Sequence, residues 1–279
     1  MNRRPIFLIC VLAFGFAFFY IPILSMMVYS FNGSRLATVW GGFSTKWYVS
    51  LFSNAQIGAA FLLSMKIALI SATIATILGT MAAIALVRFP KFRGRTLFSG
   101  LVNAPLIMPE VITGISALIF FILLAKLIGW PAQRGFATIT LAHITFSMVF
   151  VTTIVQSRLS QSDRAIEEAA MDLGSKPWQV MWDITLPVIS PAILSGWLLA
   201  FTISLDDVVI TSFTTGPGNT TLPLLIWSKV KLGVTPDINA LATITVLVVG
   251  LGVVIAGIVM ARADRRRVLD AQMAYRNNK

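Results

Sequence analysis

Long runs of apolar residues, separated by short segments that hold most of the charged side chains, form the main pattern of this sequence. A helix that rises 1.5 Å per residue needs about 20 apolar residues to cross the hydrocarbon core of a bilayer, and six runs reach that length. The pattern predicts an all-α polytopic membrane protein in which residues 1–279 form a single transmembrane domain. The six predicted spans are residues 6–31, 62–87, 97–125, 136–157, 187–213 and 238–261.

A further apolar run, residues 208–228, is a candidate for a seventh crossing. It contains the turn-forming stretch TTGPGNTT at 214–221, whose backbone polar groups would stay unpaired in lipid. Seven crossings would also place the two basic ends of the chain on opposite sides of the membrane. Six spans are therefore the favoured interpretation.

The first apolar run follows Arg3 and Arg4, as the apolar region of a secretory signal peptide does. That region spans only about 7–15 residues and ends at a small-residue cleavage site. Here the run continues to Tyr29 without such a site. We therefore expect it to be retained as the first span.

Composition excludes an ordinary soluble domain, because 57% of the residues are hydrophobic and only 12% are charged, against about 25% charged in soluble proteins. With six spans, most of the 22 Lys and Arg residues fall on one side. The positive-inside rule then places both termini and the segment 158–187 in the cytoplasm. The net charge of +11 needs no nucleic-acid partner, since the basic stretch Arg262–Arg267 is suited to anionic membrane lipid.

The segment Arg158–Pro187 holds five of the 11 acidic residues and predicts a helix, a turn and a second short helix. Ser162 or Asp163 can accept from the free N–H groups of a first helical turn, and Gly174 suits the left-handed residue that closes a helix. Ser175 is placed to cap the second helix, with Pro177 in its first turn. The apolar face of that helix is expected to comprise Trp178, Met181 and Trp182.

A motif with fixed spacing, EAA-x3-G-x9-I-x-LP, lies in this segment and resembles the cytoplasmic loop of ABC importer permeases, where the membrane subunit contacts its ATPase. The matching residues are Glu168, Ala169, Ala170, Gly174, Ile184, Leu186 and Pro187. A surface hairpin without a partner is the alternative. The chain has no Walker A sequence, so we expect it to bind no cofactor and ATP to be hydrolysed by a partner subunit.

Three acidic residues interrupt the predicted spans, namely Glu110, Asp206 and Asp207. A charge at the bilayer centre costs about 2.5–3.5 kcal/mol, so such groups usually face a cavity or a partner. They predict a negatively charged path for a cationic solute; an ion pair with a neighbouring subunit and a water-exposed helix end are the alternatives. Cation–π contacts are available from aromatic residues at Trp197, Phe201 and Trp227.

No other side chain gives a chemical signal. His143 has no Cys, Asp or second His near it in the sequence, which favours a hydrogen-bonded core residue over a metal ligand. Cys10 is alone and is expected to pack as a small apolar residue. Neither HExxH nor GxSxG occurs, so we predict no metal site, no catalytic residue and no enzyme activity.

Several segments resemble the permeases of polyamine importers: FNGSRLATVWGGFSTKWY, NAPLIMPEVITG, SLDDVVITSFTTGPG and LPLLIWSKVKLGVTPDINALAT. Within that family, GWPAQRG and TTLPLLIWSKVKLGV are more similar to the putrescine permeases than to the spermidine permeases. The resemblance implies a type I ABC importer (MetI-like) permease fold with cytoplasmic coupling helices, in the bacterial inner membrane. It also implies a homologous permease subunit, an ABC ATPase dimer and a periplasmic polyamine-binding protein as partners.

For individual residues, the resemblance implies that Glu168, Ala169, Ala170 and Gly174 couple to the ATPase. It likewise assigns Asp206 and Asp207 to the translocation path or its outer gate. A secondary transporter or channel for organic cations remains the alternative, although it leaves the EAA motif unexplained. The choice between putrescine and spermidine, and the choice of acid that faces the path, stay open.

Overall fold

The computed structural model describes residues 4–35, 39–89, 91–233 and 235–277, and in these ranges the chain forms twelve α-helices. Strand structure in the same ranges is limited to one bridge between Asn32 and Phe43. The helices are α1 (Arg4–Tyr29), α2 (Lys46–Ser53), α3 (Ala55–Arg88), α4 (Arg95–Ile107), α5 (Glu110–Ile128), α6 (Phe136–Ser160), α7 (Ala165–Asp172), α8 (Pro177–Val180), α9 (Leu186–Asp206), α10 (Val209–Thr214), α11 (Leu222–Leu232) and α12 (Pro236–Asn277).

Six helical segments of the described chain are long and apolar enough to cross a membrane, which confirms the predicted number of spans. The run 208–228 is not a seventh, because it is divided between α10 and α11 by the predicted turn. The six segments are Ile6–Tyr29, Ala55–Arg88, Glu110–Ile128, Phe136–Ser160, Pro177–Asp206 and Pro236–Ile255.

Two of the six spans are interrupted where the sequence predicted continuous helix. Residues 97–125 are divided between α4 and α5, since Met108 before Pro109 has an extended backbone with ψ 135°, as expected of a residue that precedes proline. The fifth span ends at Asp206, because Asp207 is extended with ψ 128° and α10 follows. Glu110 is thus the first residue of α5 and Asp206 the last residue of α9, each at a helix end rather than within a span.

The chain divides into two compact units. The first comprises Met1–Ala55 and Ser228–Lys279, in which both α1 and α2 pack against α12. Arg262–Arg267 lie within α12, whereas Arg3 and Lys279, which count toward the predicted cytoplasmic charge, lie outside the described residues. The assignment of residues 1–279 to a single permease domain stays a prediction.

The second unit, Gln56–Trp227, has its core between α3, α6 and α9. At Gly79 of α3, an added Cβ would lie 2.8 Å from the carbonyl oxygen of Met148 and from Cβ of Val151, both on α6. The small residues Ala75 and Ala83 on the same face are fully buried. This face therefore serves helix packing within the chain. The buried cluster consists of Ala72, Ala83, Val151, Val155, Leu159, Ile189 and Ala200.

Candidate functional site

The segment between α6 and α9 forms the predicted helix and turn. Asp163 Oδ1 accepts from the N–H of Ala165 at 2.9 Å, at the start of α7. Gly174 closes the helix with φ +92°, and the N–H of Ser175 donates to the carbonyl of Ala170 at 3.0 Å. Both features follow from the sequence. Asp163 supplies an acceptor at the start of the helix, and only glycine adopts the conformation at position 174 without a steric cost.

The start of the second helix differs from the prediction. Lys176, not Ser175, precedes α8, and its backbone N–H donates to Gln179 Oε1 at 2.8 Å. The expected cap by Ser175 was wrong, because Pro177 at the first helical position moves the boundary one residue along the chain. A π-helical turn, Met181–Thr185, then joins α8 to α9. This wider turn ends two residues before Pro187, which cannot donate a backbone hydrogen bond.

An apolar surface on this segment has no protein covering it. We refer to it as the exposed loop surface; Leu173 is 90% exposed and Trp182 67%. An apolar patch of this kind marks a site of interaction with another protein or with a membrane. The surface is formed by Ile166, Met171, Leu173, Trp178 and Trp182.

The motif residues fall into two groups by burial. Glu168, Ala169 and Gly174 are exposed beside the exposed loop surface, and Ala170 is half-buried. Pro187 is exposed at the start of α9, and Ile184 is half-buried. Leu186, also half-buried, packs against the buried cluster of the second unit. The first part of the motif is thus accessible to a partner, and the second part connects the loop to the core.

Glu167 is a residue of this site that the sequence did not reveal. Its Oε1 lies 2.7 Å from Arg88 Nη2, at the end of α3, and accepts from Thr185 Oγ1 at 2.9 Å. Both charged side chains are almost buried. Glu168, by contrast, pairs with Arg164 at 3.1 Å on the exposed side of α7. No local pattern distinguishes the two glutamates, because Arg88 is 79 residues away in the chain.

The three predicted acids of the membrane segments do not share one environment. Glu110 and Asp206 are exposed, each at a helix end beside one of the two interruptions. The two carboxylates are close enough for their negative charges to repel each other. The side chain of Asp207 is only 8% exposed. Two of the three carboxylates are therefore accessible to a solute.

Asp207 accepts hydrogen bonds from the first turn of α10. Its Oδ1 accepts from the N–H of Ile210 at 3.2 Å, and its Oδ2 accepts from the N–H and the hydroxyl of Thr211, each at 2.7 Å. His143 Nε2 lies 3.2 Å from the same Oδ2. The carboxylate therefore has partners on α6 as well as on α10.

His143 extends this network into the protein. Its Nδ1 lies 2.7 Å from Ser204 Oγ, which in turn accepts from Ser71 Oγ at 2.9 Å. The histidine is 3% exposed, which confirms the prediction of a hydrogen-bonded core residue. No group of three or more metal-ligating side chains occurs in the described part of the chain.

The aromatic residues of α9, Trp197 and Phe201, do not lie on the same side of the helix as Asp206. Trp197 stacks on Phe201 at a centroid distance of 5.4 Å, and its Nε1 donates to Thr73 Oγ1 at 3.1 Å. Both rings pack against the buried cluster of the second unit. Trp197 and Asp206 are nine residues apart on α9, which places them about 180° apart around the helix. Trp227 is exposed on α11, and cation–π contacts of these aromatic residues with a solute stay a prediction.

Six spans and an EAA motif beside an exposed apolar surface are features of the membrane subunit of an ABC importer. Residues 75–268 match the family described as binding-protein-dependent transport system inner membrane component. The chain belongs to this family.

Relatives along nearly the whole chain agree with this assignment. The chain is 53% identical over 280 residues to the putrescine transport system permease protein PotI of Escherichia coli (strain K12), covering 99% of this chain and 100% of the relative. It is 44% identical over 247 residues to the spermidine/putrescine transport system permease protein PotC of the same organism, covering 88% of this chain and 90% of the relative.

Solved structures share the fold. A bacterial ABC transporter that imports the acidic polysaccharide alginate has a chain with a TM-score of 0.74 at 18% identity, covering 93% of this chain and 96% of that one. The same transporter in complex with its periplasmic protein gives a TM-score of 0.66 at 17% identity, covering 88% of this chain and 90% of that one. The predicted type I importer fold is confirmed.

Proposed function

We propose that this permease subunit imports putrescine, and that Glu110 and Asp206 contact the cation on its path. The two exposed carboxylates at interrupted helix ends are the observation that carries the proposal. Putrescine bears an ammonium group at each end, and an ammonium forms charge-assisted hydrogen bonds with a carboxylate. The relationship to a putrescine permease supports the choice of substrate.

The fold does not select the substrate, because a chain of similar fold belongs to a transporter of an acidic polysaccharide. Exposed acids within the spans favour a cation over an anion. Asp207, the third predicted path residue, has its carboxylate occupied by protein donors. We therefore place the contact with the cation on Asp206 and Glu110.

The partners follow from the same reasoning. The exposed loop surface, with Glu168, Ala169 and Gly174 beside it, is suited to an ABC ATPase dimer that hydrolyses ATP on behalf of the complex. A homologous permease supplies the other half of the path, and a periplasmic polyamine-binding protein delivers the substrate. Both termini and the loop lie in the cytoplasm of a bacterium, as the distribution of Lys and Arg indicates.

The test is uptake of labelled putrescine by proteoliposomes that contain the assembled complex and its binding protein. We expect uptake to require ATP. Glu110→Gln and Asp206→Asn each keep an oxygen acceptor but remove the carboxylate charge, which roughly halves the strength of a hydrogen bond to an ammonium. We therefore expect each variant to lower uptake by about tenfold. Asp270→Asn, outside the predicted spans, is the control and should leave uptake unchanged.

Each other outcome has a definite meaning. Uptake without ATP, driven by an ion gradient, would replace the importer with a secondary transporter or channel. ATP-dependent uptake of an anion in place of putrescine would contradict the substrate. Normal putrescine uptake by both path variants would contradict the roles of Glu110 and Asp206.

A further inference from the structure

We propose that Asp207 is a positioning residue, which fixes the end of α9 so that Asp206 alone of the two adjacent acids faces the cation. This inference rests on the proposed function, and it assigns different work to neighbouring residues of the same type. It is carried by the contacts of the Asp207 carboxylate, by its place at the helix interruption and by the network behind it.

The carboxylate of Asp207 is enclosed and occupied mainly by protein donors. Its side chain is only 8% exposed. Three partners lie at Oδ2, namely the N–H and hydroxyl of Thr211 and His143 Nε2, and the N–H of Ile210 lies at Oδ1. A substrate ammonium would have to enter this enclosed site beside the Ile210 N–H, or displace a protein donor from Oδ2 and leave it unpaired, which is unfavourable.

The place of Asp207 in the backbone explains what these contacts achieve. The first N–H groups of a helix have no partner within that helix, and Asp207 accepts two of them at the start of α10. The N-cap position itself is Val208, so Asp207 satisfies these N–H groups from one residue before the cap. The backbone between α9 and α10 is fixed as a result, and with it the direction of the adjacent Asp206 side chain, which is exposed.

A chain of hydrogen bonds connects this carboxylate to the core. His143 Nε2 lies 3.0 Å from Thr211 Oγ1 and 3.2 Å from Asp207 Oδ2, and the Thr211 hydroxyl itself donates to Asp207. The chain is complete when His143 donates from Nε2 to this pair and accepts at Nδ1 from the Ser204 hydroxyl. Ser204 accepts from Ser71. Since Ser71 lies on α3, His143 on α6, Ser204 on α9 and Thr211 on α10, the network joins four helices at the interruption.

The two roles give different responses to substitution. At Asp206 the charge matters, so Asn should be as damaging as Ala, each lowering putrescine uptake about tenfold or more. At Asp207 the acceptor oxygens matter: Asn keeps one of them, whereas its amide NH2 cannot accept from the donors of the other. Asp207→Asn should therefore lose less uptake than Asp207→Ala, which keeps neither oxygen and should lose about tenfold.

A second measurement does not depend on the substrate. Cys10 is the only cysteine of the chain, so Cys10→Ser gives a background without thiols in this subunit. Asp206→Cys and Asp207→Cys are then introduced separately, and the assembled complex is treated with the cationic reagent 2-aminoethyl methanethiosulfonate. We expect the thiol of Asp206→Cys to react at least about tenfold faster than that of Asp207→Cys, and putrescine to slow only the faster reaction.

Adding Asp207→Ala to Asp206→Cys should abolish the protection by putrescine, while adding Asp207→Asn should preserve it.

Equal labelling of the two thiols, with protection of both by putrescine, would overturn the proposal, as would an Asp207→Asn variant that is as inactive as Asp207→Ala. Should the wild-type complex transport no putrescine, the proposed substrate fails. The ratio of the labelling rates still decides between an accessible and an enclosed Asp207.

Discussion

Two pairs of adjacent acidic residues show how neighbouring side chains acquire different surroundings. Glu167 is buried against Arg88 while Glu168 is exposed, and Asp207 is buried while Asp206 is exposed. Glu167 and Glu168 are successive residues of α7 and point about 100° apart, whereas Asp206 ends α9 and Asp207 has an extended backbone. In both pairs the buried member is held by a residue distant in sequence.

Replacement of the two glutamates should have unequal effects on stability. Glu167→Gln leaves Arg88 without its counter-charge in an almost buried site, and breaking such a pair costs about 3–5 kcal/mol. Glu168→Gln removes an exposed pair between residues four apart, which is worth about 0.3–0.5 kcal/mol. Thermal unfolding of the purified complex should therefore show a clear decrease in Tm only for Glu167→Gln.

The exposed glutamate is the matched control, since the same chemical change is made one residue away. Equal shifts in Tm for the two variants would show that the pair with Arg88 does not stabilise the loop.

At the scale of helices, the tight contact between α3 and α6 contrasts with the exposed loop between α6 and α9. Gly79 allows α3 and α6 to approach until an added Cβ would lie 2.8 Å from a backbone oxygen. The apolar side of the loop between α6 and α9 is left exposed. The face of α3 that contains Gly79 is covered by α6 of the same chain. The apolar side of the loop is left available for contact with another protein.

Gly79→Ala should separate α3 from α6. Overpacking of a core typically costs about 1–3 kcal/mol, and here one of the obstructing atoms belongs to the backbone. Gly58→Ala in the same helix adds a methyl group that meets nothing within 4 Å. It should be neutral or stabilising by up to about 1 kcal/mol. Thermal unfolding of both variants checks this contrast, which an unchanged Tm for Gly79→Ala would contradict.

The exposed loop surface should contribute directly to capture of the ATPase. Trp178→Ala removes a large exposed ring, and loss of an interface tryptophan of this kind costs about 2 kcal/mol or more, roughly thirtyfold in affinity. The measurement is retention of the ATPase during purification of the complex at several protein concentrations. Trp130→Ala is the control, because Trp130 lies near the opposite end of α6, a helix about 37 Å long. Equal retention of the ATPase by both variants would exclude the surface as its contact.

At the scale of the molecule, the positive charges and the six spans together specify an orientation. A fluorescent protein fused after Lys279 should fold and fluoresce in the cytoplasm. Alkaline phosphatase inserted in the turn at Gly129, which joins α5 to α6, should be active because the predicted topology places this turn outside the cytoplasm. Phosphatase activity from an insertion at Gly174 would reverse the predicted topology.

The six spans and the loop between α6 and α9 could be predicted because their signals are local: run length, apolar content and the positions of glycine and proline. The interruptions after Ile107 and Asp206 were missed, since long apolar stretches continue on both sides of the acidic residues that stand there. The partners of Glu167 and Asp207 were also missed. Arg88 and His143 lie 79 and 64 residues from them, and contacts of that range are set by the packing of helices, which one sequence does not display.

The termination of α9 at Asp206 places main-chain carbonyl groups, as well as a side chain, at the proposed cation path. The aligned peptide dipoles of a helix leave a negative end at its carboxyl terminus, equivalent to about half an elementary charge. Carbonyl groups at the end of α9 therefore add to the attraction that the Asp206 carboxylate exerts on a cation. This part of the negative electrostatic potential comes from the main chain, so neutralising the Asp206 side chain does not remove it. A permease lacking the Asp206 charge should accordingly still draw cations toward the interruption, with a weaker but unreversed electrostatic preference.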